Sequence, residues 1–218
     1  MAAVLAAGGR GDRARTSVAG VAKQWRLLGN RSIVEWSLDV LVAAGCDPVV
    51  LVVPDPGADQ AMALAKRAIV TAGGATRQQS VARGLALIAT ELVVVHDGAR
   101  PFATPELVRE CLAALAGVAG AVAAVPLDET VKRVEDDRVR ATVDRSGLWR
   151  VQTPQAFVTG ELERAHALAV AAGYSGSDDA ELVERAGGSV RVVRGPRDNI
   201  KLTWPEDFAL AESLVARR

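Results

Sequence analysis

Cysteine and histidine are nearly absent from this chain. Its 218 residues include two of each. Cys46 and Cys111 stand in no metal-like spacing and read as lone buried thiols, which fits a reducing cytosol rather than a disulfide scaffold. With only His96 and His166 beside them, a zinc site is not expected. No apolar run reaches the roughly 18 residues that a membrane span needs. The first residues have no basic stretch ahead of their apolar one, so they do not read as a signal peptide, and a cytoplasmic protein is expected. Net charge is also lacking: 26 basic and 26 acidic side chains cancel. A protein that coats nucleic acid or an anionic membrane is thereby disfavoured, and any anionic ligand must be met by a local cluster of cations.

What the chain does have is an ordinary globular balance, 50% hydrophobic and 24% charged. Its length suits a single domain with a real core. The basic residues are strongly skewed: only Lys23, Lys66, Lys132 and Lys201 are lysines, and the remainder are Arg. Each surviving Lys is therefore of interest.

Near-continuous apolar runs at 2–6, 48–53, 68–71, 92–96, 119–126 and 190–194 read as strands. Between them, 33–44, 59–67, 80–88, 105–116, 160–172, 178–186 and 205–215 read as helices. This alternation is the pattern of a parallel sheet covered on both faces. A further strand is expected at 200–203. Residues 131–134 and 138–142 alternate around Glu135-Asp136-Asp137 and predict a β-hairpin standing off the sheet. The expected fold class is α/β: a Rossmann-like, mostly parallel sheet with helices on both faces and a projecting arm at about 127–148, all in one domain, 1–218. Ligands of such sheets bind beyond the carboxyl ends of the strands. That singles out the loops after Ala6, Thr71 and His96.

The loop after Ala6 runs AAGGRGDR, residues 6 to 13. Glycines there let backbone N–H groups approach phosphate oxygens. Gly9, Gly11 and Arg13 form G-x-G-x-R, but the third glycine of a dinucleotide fingerprint is missing, as is the G-K-[ST] of a Walker loop. A plain turn is the competing reading. Lys23 could return over the same phosphates as a compact point charge, or could simply be solvated. Asp97, at the end of a buried strand, could hold Mg²⁺ or serve as a loop-anchoring cap. His96 reads as a satisfied core histidine.

Three segments are the most specific: VVHDGARPF (94–102), DRSGLWRVQTPQAF (144–157) and DNIKLTWPEDFALAE (198–212). With GGATRQQSV (73–81) and SDDAELVE (177–184), they resemble, in order and nearly throughout, the 2-C-methyl-D-erythritol 4-phosphate cytidylyltransferases of non-mevalonate isoprenoid biosynthesis. The resemblance implies transfer of a cytidylyl group from CTP to a polyol phosphate. It implies that Gly8, Gly9, Gly11 and Arg13 wrap the triphosphate, with Arg10 and Arg15 flanking that Arg. Arg13, Lys23 and Lys201 would act on the reacting phosphates. Ala6, Ala7, Gly74, Ala75 and Ser80 would hold the cytosine, and Asp97 and Gly98 the ribose, with Asp97 also on the metal. Thr130, Lys132 and Arg145 would grip methylerythritol phosphate from the arm of a partner in a homodimer. Ser177 stands where the family usually has Thr. Three of the four lysines fall on these motifs, as expected of a site that needs ammonium groups. Two rival functions stay open: a cytidylyltransferase for another polyol phosphate such as ribitol 5-phosphate, and a non-catalytic nucleotide-binding homologue.

Overall fold

A computed structural model describes residues 1–8 and 22–217 of the chain. Its centre is a seven-stranded sheet. The strands in chain order are β1 (Ala2–Ala6), β4 (Val49–Val53), β5 (Ile69–Ala72), β6 (Leu92–Asp97), β7 (Gly120–Pro126), β10 (Trp149–Val158) and β11 (Val190–Arg194). The short pair β2 (Leu27–Leu28) and β3 (Arg31–Ser32) lies apart, as does the ribbon of β8 (Val131–Glu135) and β9 (Arg138–Val143). The spatial order is β11-β7-β10-β6-β1-β4-β5. Every ladder of this central sheet is parallel except those of β10, which runs antiparallel to both its neighbours.

Alternation along each strand builds two apolar layers, because successive side chains leave a strand on opposite faces. Ala3, Leu5, Leu51, Val53 and Val94 face one way, towards α1 (Ile33–Ala43) and α4 (Pro105–Ala113). Ala2, Val4, Val50, Val52, Val93 and Val95 face the other, towards α3 (Arg77–Leu85), α5 (Thr159–Ala171) and α6 (Asp179–Arg185). Burying each Val or Leu is worth about 1.5–3 kcal/mol. A strand exposed on either face would forfeit half of that set, which is why these runs carry no polar alternation. The short α2 (Asp59–Ala63) and the closing α7 (Pro205–Val215) complete the chain. A third core group, with Leu28, Ile33, Phe102, Leu202 and Phe208, seats α7 beside the carboxyl end of β6.

Helix starts follow local chemistry. Ser32 and Glu35 form a capping box ahead of α1, and Thr76 with Gln79 does the same for α3. Thr104 followed by Pro105 opens α4, and Asp178 caps α6 by accepting from Glu181 N–H at 2.9 Å.

Two sequence expectations are corrected. Residues 200–203 form no strand. Their backbone is taken up elsewhere: Leu202 N–H donates to the Ala99 carbonyl at 2.9 Å, and the Leu202 carbonyl accepts from Lys23 Nζ at 2.8 Å. Residues 149–158, read only as a motif, are the central strand β10. Pro154 argues against a central strand because it cannot donate to a ladder. The structure accommodates it by shifting register between Val151 and Gln155. The helix expected from residue 80 already starts at Arg77, which proves to matter below.

Candidate active site

The carboxyl ends of β1, β5 and β6 converge, as the alternation predicted. Gly98 N–H donates to the Ala6 carbonyl at 2.9 Å, and Ala7 N–H donates to Val52 O at 2.8 Å. Ser80 closes the third loop: its hydroxyl donates to Thr76 O at 2.9 Å and accepts from Gly74 N–H at 3.0 Å. A Cβ on Gly8 would meet Ser80 Oγ at 3.0 Å, and one on Gly74 would meet Gln79 Cβ at 2.3 Å. Glycine at these two positions is therefore a packing requirement. Ala6, Ala7, Gly8, Gly74, Ser80, Asp97 and Gly98 thus share one locality, with Ala75 on the loop beside Gly74. Gly9, Gly11 and Arg13, together with Arg10 and Arg15, lie outside the described residues.

Asp97 is the charged centre of this locality. Its Oδ1 accepts from Arg77 Nε at 3.0 Å and its Oδ2 from Lys201 Nζ at 2.7 Å. Burial alone raises a carboxyl pKa, but the Arg77 and Lys201 charges hold Asp97 well below the usual carboxylate range. Lys201 arrives on a segment clasped to the β6 turn. Asn199 Nδ2 donates to Thr153 O at 2.9 Å and to Gln152 Oε1 at 3.1 Å, and Arg100 donates to Asn199 O at 2.8 Å. The Lys23 bond to Leu202 O joins the first lysine to the same segment.

His96 is structural, as expected. The acceptor-only carbonyl of Arg100 requires His96 Nε2 to donate, at 3.2 Å, which leaves Nδ1 to accept from Thr153 Oγ1 at 3.0 Å. Thr153 Oγ1 in turn accepts from Asp97 N–H at 3.0 Å. The imidazole thereby fixes both ends of the Asp97–Arg100 turn. Full burial pushes its pKa down to about 4. Because this folded value lies below the ordinary value of about 6.5, the stability contribution is present above pH 6.5 and is lost as pH falls towards 4. Between pH 7.5 and pH 5 the wild type should lose about 2 kcal/mol more unfolding free energy than His96→Gln. Urea titrations at the two pH values measure this, and equal losses would refute it. Burial likewise raises the Cys46 and Cys111 thiols, to about 11 and about 12, so neither is a nucleophile near neutral pH.

The arm residues keep to the arm within this chain. Lys132 Nζ donates to Thr142 Oγ1 at 2.6 Å, and Arg145 bonds the Asp128 carbonyl. Thr130 is exposed at the arm's base. Ser177 lies in the loop before α6, where its N–H donates to Glu181 Oε2 at 2.6 Å.

Residues that the sequence reading did not single out complete the network. They are Arg77, Asp179, His166, Thr153, Arg100 and Asn199. Arg77 and Asp179 both lie inside motifs already noted, GGATRQQSV and SDDAELVE, but nothing local reveals that they meet. Among the described residues no group of three or more His, Cys, Asp or Glu could hold a metal, and no helix is long and apolar enough to cross a membrane. A single carboxylate sharing a cation with substrate phosphates is the arrangement that remains, and it suits Mg²⁺.

This site also has counterparts among known proteins. The sequence profile of the 2-C-methyl-D-erythritol 4-phosphate cytidylyltransferases matches residues 1–217. The enzyme of that name from Geobacillus kaustophilus is 42% identical over 225 residues, covering 99% of this chain and 97% of that protein. Its namesake from Geobacter metallireducens is 38% identical over 232 residues, with 99% and 97% covered. The crystal structure of the Thermus thermophilus enzyme matches with a TM-score of 0.86 at 36% identity, covering 99% of this chain and 98% of that one. A parallel sheet whose loops gather around one cation-paired carboxylate, matched over the whole described fold, leaves one assignment: the chain belongs to the 2-C-methyl-D-erythritol 4-phosphate cytidylyltransferase family.

Proposed function

We propose that the chain catalyses the reaction for which its family is named. It transfers a cytidylyl group from CTP to 2-C-methyl-D-erythritol 4-phosphate, giving 4-diphosphocytidyl-2-C-methyl-D-erythritol and pyrophosphate, a step of isoprenoid biosynthesis. The observation that carries this reading is the Asp97 locality. It offers backbone-lined glycine loops and two lysines but no available general base, since His96 has both nitrogens engaged and Asp97 has a cation on each oxygen.

That inventory suits the chemistry. A phosphate monoester, with a second pKa of about 6, is already an anionic nucleophile near neutral pH. Its oxygen bonds to the α-phosphorus of CTP while the bond to the β-phosphate oxygen breaks, and pyrophosphate leaves. Bringing two polyanions together is the difficulty, so positioning and positive charge supply the catalysis. In this reading Lys23, Lys201 and Arg13 face the phosphates. Ala6, Ala7, Gly74, Ala75 and Ser80 form a narrow seat for a pyrimidine, and Gly8, Gly9 and Gly11 line the triphosphate. Asp97 and Gly98 meet the ribose side. Asp97 would hold Mg²⁺ through Oδ2, the oxygen on the Lys201 side, where the ammonium is half exposed and can exchange onto a phosphate. When bound, the ion neutralises charge on the triphosphate.

The methylerythritol phosphate is held by Thr130, Lys132 and Arg145 of a partner subunit, with Ser177 near the same end. The β8–β9 ribbon forms a sheet of its own, with Val134 53% and Val139 62% exposed. An isolated hairpin is marginal in water, and a two-fold partner with the same ribbon would cover both. Arg145 suits bidentate capture of a phosphate.

A pyrophosphate-release assay tests the assignment. CTP with methylerythritol phosphate should turn over, and ATP, GTP or ribitol 5-phosphate in place of either should not. Preference for ribitol 5-phosphate would reassign the acceptor. CTP binding by calorimetry without pyrophosphate release would make the chain a nucleotide-binding homologue.

A further inference from the structure

Arg77 lies between two buried carboxylates from different parts of the chain. Its Nε donates to Asp97 Oδ1 at 3.0 Å, and its NH1 donates to Asp179 Oδ2 at 2.6 Å. Asp97 ends β6, Arg77 opens α3 and Asp179 opens α6, so one guanidinium ties a sheet terminus to helices on a single face of the sheet. Asp179 is fixed in its turn. His166 on α5 bonds its Oδ1 at 3.1 Å. The first turn of α6 is also pinned to β10, because Gln155 Nε2 donates to Asp178 Oδ2 at 2.9 Å. Asp97, Asp179 and His166 are all buried.

The two oxygens of Asp97 are therefore held differently. Oδ1 meets a planar cation braced on its far side. Oδ2 meets Lys201, a half-exposed ammonium on a flexible stem. A carboxylate can rotate about its last bond, and a brace on one oxygen stops it. Only a guanidinium places two N–H donors in a rigid fork that spans two carboxylates, whereas a lysine is a single point charge.

We propose that Arg77, braced by Asp179 and His166, is a positioning residue that locks the Asp97 carboxylate with Oδ2 turned towards Lys201 and the reacting phosphates. Arg77 touches no substrate in this role and acts through Asp97. The inference rests on the reading of Asp97 as a site carboxylate.

The test is a set of double-mutant cycles read as turnover, with CTP affinity by calorimetry and thermal unfolding measured for each variant. Arg77→Lys keeps the charge and loses the fork. Asp179→Asn keeps Arg77 and loses its brace. Groups behind a liganding side chain typically contribute about 10- to 100-fold in activity, and Arg77→Lys should lower kcat by that order, with KM for CTP changing less. Asp179→Asn should act in the same direction by a smaller factor. On an Asp97→Asn background neither change should lower turnover further, because the carboxylate they position is gone. The same fold-loss on both backgrounds, or wild-type kcat in Arg77→Lys, would overturn the inference while leaving the site assignment intact. Wild-type turnover in Asp97→Asn itself would instead remove the site reading on which it rests. Should Arg77→Lys fail to fold, Asp179→Asn carries the same cycle.

Discussion

Lys201→Ala and Lys23→Ala should each cut turnover by about 10²- to 10³-fold, the loss that follows removal of one preorganised charge donor, about 3–4 kcal/mol of transition-state stabilisation. The stability cost should be far smaller. The Lys201 ammonium is half exposed, and its partner Asp97 keeps Arg77 when it goes, so about 1 kcal/mol or less is expected. Lys23 gives up its hydrogen bond to Leu202 O, worth about 1 kcal/mol. The gap between the two effects is the signature of a group kept for chemistry rather than folding. Pyrophosphate release measured beside urea unfolding decides the matter. Variants that keep wild-type rates, or whose rate loss is matched by unfolding, would remove the two lysines from the site. Because Lys23 and Lys201 meet at the Leu202 segment, the double variant should fall by less than the product of the single losses.

Mixing two inactive variants should restore activity. If the arm of one subunit completes the site of the other, Arg145→Ala breaks what a subunit lends and Lys23→Ala breaks what it keeps. A heterodimer then holds one site with both defects and one site with neither. On random pairing about half of the dimers are heterodimers, so total activity should approach about a quarter of the wild-type value after subunit exchange. Each variant alone should remain near zero. The structure supplies a reason to expect this. Among the described residues of one chain, Lys132 and Arg145 bond arm groups, Thr142 and the Asp128 carbonyl, and the aliphatic side chains of the ribbon face solvent. Mass measurement in solution and a mixing assay are sufficient. A monomer, or silence despite demonstrated heterodimers, would place the whole site within one chain.

Much of this molecule was legible in its sequence, because much of it is local. Strands buried on both faces must read as unbroken apolar runs, so β1, β4, β6 and β7 were evident, as was the parallel arrangement that aligns their carboxyl ends. The ribbon at 131–143 was legible from its period of two around an acidic turn. The glycines after β1 and β5, Asp97 at its strand end and the scarce lysines marked the site, since close backbone approach and point charge each need a particular residue type.

What the sequence left undecided depends on partners far along the chain. No local pattern reveals that a stretch with proline at its middle is the central strand β10. Only the neighbours β6 and β7 make that placement favourable, by burying Phe157 and Ala156 between layers and letting the ladder slip around Pro154. Residues 200–203 have strand-like composition, yet they form a clasp, because Asn199 and Leu202 find better hydrogen-bond partners at Thr153 and Ala99 than a free sheet edge would offer. Arg77 meets Asp97 across 20 residues of sequence and Asp179 across 102. A charge becomes a brace only when folding removes water around it and leaves a single carboxylate within reach on each side, and tertiary structure alone supplies both conditions.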